Sequence, residues 1–144
     1  MRDPVERLWP SARMRKRKMQ GSEKESFDEF NFLSSCEEGS DQDLKTRYEA
    51  TIRNLEKVFS SADIHYGFYE ELFSGSSYQK IKKLLGAKLR LLNATHNAND
   101  SHKQPALPKP LKLKIVRRYQ PAYDFICRRY GKFMLNLWQG YQLL

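Results

Sequence analysis

Apolar residues recur along this chain at helical spacing far more often than at strand spacing. Leu44, Tyr48, Ile52, Leu55 and Phe59 follow one another three or four residues apart, with Val58 beside them, and predict a helix over about residues 41–59. Ser40 stands where an N-cap is wanted, with Asp43 three residues on in a box-like arrangement. Asp43–Arg47 and Glu49–Arg53 are favourable i,i+4 pairs, expected on the wet side of that helix. Ser60 and Asp63 restart the pattern, and Ile64, Phe68 and Leu72 give a second short stripe flanked by Tyr69 and Phe73. Gly67 weakens it by about 1 kcal/mol relative to alanine, and Ser74-Gly75 ends it. A third stripe, Ile81, Leu84, Leu85, Leu89 and Leu92 with Tyr78 at its head, fades by residues 93–97.

Residues 97–110 read as a stiff linker, since Pro105, Pro108 and Pro110 forbid a helix. Leu111-Lys112-Leu113-Lys114-Ile115 alternates with period two, a strand signal without a second strand to pair with; the alternative is an early start of the last helix. Pro121 suits a first helical turn, and Tyr123, Ile126, Tyr130, Phe133, Leu137 and Tyr141 predict one long helix over about 120–142. Ahead of residue 41 no periodicity is sustained. Pro4 and Pro10 are expected to break any early helix, and the Ser-, Glu- and Asp-rich stretch that follows is expected to be mobile.

The expected fold is therefore all-α: a small helical bundle of about four helices over residues 41–144, behind a disordered N-terminal tail over residues 1–40. Its core would be Leu44, Tyr48, Ile52, Leu55, Phe59, Phe68, Leu72, Ile81, Leu85, Leu89, Tyr123, Ile126, Tyr130, Phe133 and Leu137. The Leu-rich third helix is the expected partner of the C-terminal aromatic stripe. Core packing is the better reading of Tyr119, Tyr123 and Tyr130 than base stacking, because the stripe is continuous.

Charge adds direction to this picture. The chain carries 26 basic and 17 acidic residues, a net charge of +9. Residues 1–20 sum to +5, residues 21–43 to −7 and residues 44–144 to +11. A folded part this basic attracts polyanions or acidic protein segments.

Catalytic chemistry finds no foothold. His65, His96 and His102 have no Cys, Asp or Glu at metal-ligand spacing, and the neighbouring Glu70 and Glu71 point apart on a helix. There is no glycine-rich phosphate loop and no nucleophile motif. The chain is expected not to be an enzyme, with no metal, cofactor or small-molecule substrate. Cys36 and Cys127 make no disulfide framework, and Cys127 suits buried packing. Without an apolar leader or a run long enough to span a membrane, the chain is expected inside the cell, with no membrane partner. The sequons at Asn93 and Asn99 are then chance matches.

Three segments are candidate sites. Arg13, Arg15, Lys16, Arg17 and Lys18 form a compact basic cluster that reads as a nuclear import signal, against the plainer reading of a solubilising tail. Phe27, Phe30, Phe32 and Leu33 lie among acids and read as a partner-docking island; the competing reading folds them back onto the protein's own basic helices. Ser34, Ser35 and Ser40, among acids, suit an acid-directed kinase. Lys112, Lys114, Arg117, Arg118, Arg128, Arg129 and Lys132 read as a polyanion-binding helix face, or as a merely solvated one. Together these suggest a non-enzymatic interaction protein of the nucleus, an adaptor or small subunit of a chromatin- or transcription-associated complex with protein partners. The alternative is a module that binds DNA or RNA through the C-terminal basic face.

Overall fold

The structure, a computed structural model, describes residues 1–35, 38–72, 75–86, 106–131 and 133–144, apart from the side chains of 72, 75–78, 134 and 135. Among the described residues it is all-helical, without a strand. The elements are α1 (Pro4–Lys18), α2 (Gly21–Ser26), α3 (Glu29–Ser34), α4 (Asp41–Leu44), α5 (Tyr48–Val58), α6 (Tyr69–Leu72), α7 (Gly75–Leu85), α8 (Lys109–Arg118), α9 (Gln120–Tyr130) and α10 (Met134–Leu137). Two 3-10 turns, Ser61–Asp63 and Gln139–Leu143, complete them. The all-α class holds; the count of about four helices does not, because the long stripes are cut into shorter pieces.

The segment expected as a disordered tail is helical and central to the packing. Asp3 caps α1 by accepting from the Val5 N–H at 2.9 Å, and Pro4 sits in the first turn, where no donor is missed. Pro10 forfeits one internal hydrogen bond, a cost of about 3 kcal/mol. Val5, Leu8 and Ala12 share one face and are buried, and two such aliphatic side chains return about 1.5–3 kcal/mol each. Burial outweighs the proline. α1 packs against α3 and α8, so residues on either side of position 40 share one core.

The helix expected over 41–59 breaks at residues 45–47. Thr46 is buried and its hydroxyl donates back to the Gln42 carbonyl at 2.6 Å, while Arg7 of α1 donates to Thr46 Oγ1 at 2.6 Å. These contacts end α4 and fix its approach to α1. The stripe over 64–72 is helical only in α6, because part of that backbone pairs with the first residue of the chain. The Met1 ammonium donates to the Gly67 carbonyl, and the Tyr69 N–H donates to the Met1 carbonyl at 2.6 Å.

The period-two segment at 111–115 is the middle of α8, not a strand. With no second strand to complete a ladder, a helix satisfies the backbone, and it buries the adjacent Ile115 and Val116 together. The helix expected over 120–142 stops at Gly131, whose φ of 87° leaves the helical basin. After it come α10 and the second 3-10 turn, which returns to α8. Trp138, 1% exposed, stands at the centre of the aromatic core, with Tyr123, Tyr48 and Phe68 at ring distances of 5.7, 5.9 and 6.1 Å.

Tyr48, Ile52, Phe68, Tyr123 and Ile126 are in the core as expected, and Tyr119 joins them. Leu44, Leu55, Phe59, Leu85 and Phe133 are exposed instead. Only parts of these stripes are covered: Tyr48 and Ile52 are buried, while Leu44, Leu55 and Phe59 of the same stripe stay open to solvent. The aromatic stripe of α9 packs against α5 and α10, whereas α7 packs on α6 and leaves Leu84 and Leu85 exposed. Leu89 and residues 97–105 of the expected linker lie outside the described residues, as does the side chain of Leu72. The end of that linker is not extended, because Lys109 and Pro110 open α8, where a first-turn proline misses no donor.

Candidate interaction surface

The acidic-aromatic island forms α3, and α3 lies where α1 meets α8. Asp28 starts it by accepting from the Phe30 and Asn31 N–H groups at 2.8 and 3.2 Å. The helix then presents its aromatics inward. Phe30 stacks on Trp9 of α1 at 5.3 Å with 20° between the planes, and Phe27 lies 5.4 Å from Phe32. Leu33 is buried. Lys16 Nζ bonds Glu29 Oε2 at 2.9 Å, and the Arg15 guanidinium lies 5.0 Å from the Phe32 ring. From the other side, Lys114 Nζ of α8 donates to the Ser34 carbonyl at 3.0 Å. The island thus folds back onto the chain's own basic helices.

The attachment is modest in energy. A six-residue helix is unstable on its own. Burying Leu33 contributes about 1.5–3 kcal/mol, the ring stack about 0.5–1.5, and the partly exposed ion pair at most about 1. The preceding α2 buries nothing.

Within the import-like cluster the five cations are placed differently. Arg15 and Lys16 hold α3. Arg13 lies 5.8 Å from the Trp9 ring, and its Nε and Nη2 are buried without a hydrogen-bond partner among the described residues. Arg17 and Lys18 are exposed at the C-terminal end of α1, where cations complement the helix dipole.

The basic face expected at the C-terminal end is divided. Arg118 bonds the buried Asp43 at 3.2 Å, and Arg129 pairs with Glu56 while lying 4.9 Å from the Tyr66 ring. That pairing, and the Tyr66 hydroxyl that donates to the same carboxylate, hold Glu56 below the usual carboxylate range. Lys109 and Lys112 line a cavity of about 390 Å³ with Glu6, Gln139, Gln142 and Leu107. Arg117 and Arg128 are exposed, and no described acid pairs with either; Lys132 lies outside the described residues. The two basic segments, far apart in sequence, therefore meet along α3 through Arg15 and Lys114 rather than along α9.

Asp43 is the centre that sequence reasoning placed wrongly. Its i,i+4 pair with Arg47 forms, at 2.8 Å, but the carboxylate is buried rather than wet. It accepts from the Gly39 N–H at 2.9 Å and from the Tyr119 hydroxyl at 3.1 Å as well as from Arg118. Burial alone would raise its pKa; these donors and the two guanidinium charges outweigh it and hold the carboxyl below its ordinary value. Asp43 thereby joins the start of α4 to the junction of α8 and α9. Trp9, which receives α3, was also missed; its signal was Trp9 and Arg13 four residues apart, with Val5, Leu8 and Ala12 on one face.

Among the described residues no group of three His, Cys, Asp or Glu side chains is placed to hold a metal ion, and no helix is long and apolar enough to cross a membrane. Compared with protein-family models, curated proteins and solved structures, the chain matches none.

Proposed function

We propose that this protein is a non-enzymatic helical interaction protein, an adaptor or small subunit of a chromatin- or transcription-associated complex in the nucleus. The observation that carries the reading is the seat of α3. An acidic-aromatic helix rests on basic and aromatic side chains of α1 and α8, so the fold already contains a surface suited to such a segment. Arg15, Arg17 and Lys18, exposed near an extended Met19, are the accessible part of the import-like cluster. A tagged chain should accumulate in nuclei, and changing Arg15, Lys16, Arg17 and Lys18 to Ala should release it to the cytoplasm; equal distribution of both overturns the nuclear part. Pull-down from nuclear extract should recover protein partners that survive nuclease.

A second reading is direct binding of DNA or RNA. Its support is the pair Arg117 and Arg128, exposed and without a described acidic partner, together with Lys112 and Lys114. Recovery that collapses with nuclease would favour it.

A further inference from the structure

We propose that the seat of α3 is an exchange site: the surface formed by Trp9, Arg13, Arg15 and Lys16 of α1 with Lys114 of α8 takes an acidic-aromatic helix from a partner protein, and α3 is its resident occupant in cis. The inference rests on the interaction-protein reading and names the partner's chemistry.

Three observations carry it. First, the occupant defines what fits: an aromatic ring to stack on Trp9, an aliphatic side chain at the place of Leu33, and an acid within reach of Lys16. Second, α3 does not satisfy its seat. The Arg13 guanidinium keeps two buried nitrogens without a partner among the described residues, while α3's acids are spent elsewhere, Glu29 on Lys16 and Asp28 on its own cap. A partner helix with one further carboxylate would answer Arg13 and so displace α3. Third, release disturbs little else, because α2 buries no residue and α3 contributes only Leu33 to the fully buried core. While tethered, α3 competes at the high effective concentration of an intramolecular ligand, so the site is closed to weak ligands.

The test uses a fluorescein-labelled peptide with the sequence of residues 26–35 and anisotropy titration of the full chain. The native chain should bind it weakly. The double variant Phe30→Ser, Leu33→Ser, which empties the seat, should bind roughly tenfold tighter or more. Adding Lys16→Gln to that variant should weaken binding severalfold, because the peptide repeats the Glu29 that Lys16 holds. No gain in the emptied variant, with its thermal transition intact, overturns the proposal, as does binding indifferent to Lys16. A dimer of the emptied or native chain on size exclusion also overturns it, making a second copy the occupant. Amide exchange of the native chain does not depend on the variant folding. Excess peptide should speed exchange at residues 31–35 and leave α9 unchanged; no change at residues 31–35 overturns the exchange. A chain that takes the peptide yet stays cytoplasmic sinks the nuclear reading alone; a nuclear chain that ignores it sinks the exchange site alone.

Discussion

The Tyr123 hydroxyl donates to Asp3 Oδ1 across 2.6 Å, and both residues are buried. Asp3 Oδ2 accepts from the Gly140 N–H at 2.7 Å, so one carboxylate caps α1 and holds both α9 and the last 3-10 turn. Burial pushes the Tyr123 phenol well above its ordinary pKa, and the Asp3 charge and hydrogen bond push it further, so it remains a donor throughout the neutral range. Tyr123→Phe keeps the ring against Trp138 and removes only the donor. It is expected to cost about 1.5–3 kcal/mol, read as a lower urea midpoint with an unchanged slope.

Gly140 belongs to the same knot. A Cβ there would overlap the Tyr123 hydroxyl and stand 2.8 Å from Asp3 Oδ1. Gly140→Ala should cost about 1–3 kcal/mol in thermal or urea unfolding. Gly67→Ala is the control: its Cβ would meet His65 Nε2 at an ordinary 3.6 Å, and a change within about 0.5 kcal/mol is expected.

Gly131 sets the length of α9. At φ 87° and ψ 176° it occupies a region that side chains avoid. Gly131→Ala should destabilise by about 1–3 kcal/mol, although nothing lies within 4 Å of the added methyl. A neutral or stabilising result in urea unfolding would mean that α9 runs on past this point.

Asp43 makes stability depend on acid. Its folded pKa is lowered relative to an unfolded value of about 3.9, so its contribution is full above that pH and is lost as pH falls through the lower folded value. Unfolding free energy measured between pH 6 and 2 (values chosen to bracket about 3.9) should fall on the acid side, and Asp43→Asn should flatten that fall. Part of the slope should remain, since Asp41 and Glu56 are held low as well, each chiefly by a hydrogen bond, from Lys45 and Arg129 respectively.

Arg117 and Arg118 are adjacent in sequence and opposite in role. Arg118→Ala leaves the buried Asp43 short of a charged partner and should cost about 1–3 kcal/mol in urea unfolding. Arg117→Ala should change stability by no more than about 0.5 kcal/mol. If anionic polymers bind the C-terminal basic face, heparin affinity should follow Arg117 and Arg128 and be indifferent to Arg118 in salt titrations.

Much of the helical pattern was legible. The spacing of Tyr119, Tyr123 and Ile126 identified the buried face of α9, Ser40 does cap α4 through the Asp43 N–H, and Pro121 does open α9. What escaped was long-range. Asp43 looks like a surface i,i+4 partner until Arg118 and Tyr119, 75 and 76 residues on, close over it. The stripe of Val5, Leu8 and Ala12 was legible too, but two prolines and a run of cations obscured it, and burial outweighed both. The alternation at 111–115 misled because a strand needs a partner, and helix α8 buries the neighbouring Ile115 and Val116 without one. The candidate surface was half visible: the acids and aromatics of α3 could be read, whereas their seat on Trp9 and Arg15 required the fold.

The bond between Asp3 and the backbone of Gly140 also has a temporal side. During synthesis α1 precedes both of its packing partners: it can meet α3 soon after it is made, but α8 only once residues 109–118 have followed. The bond between Asp3 and Gly140 closes a loop of 137 residues, so it belongs to the slow, non-local part of folding.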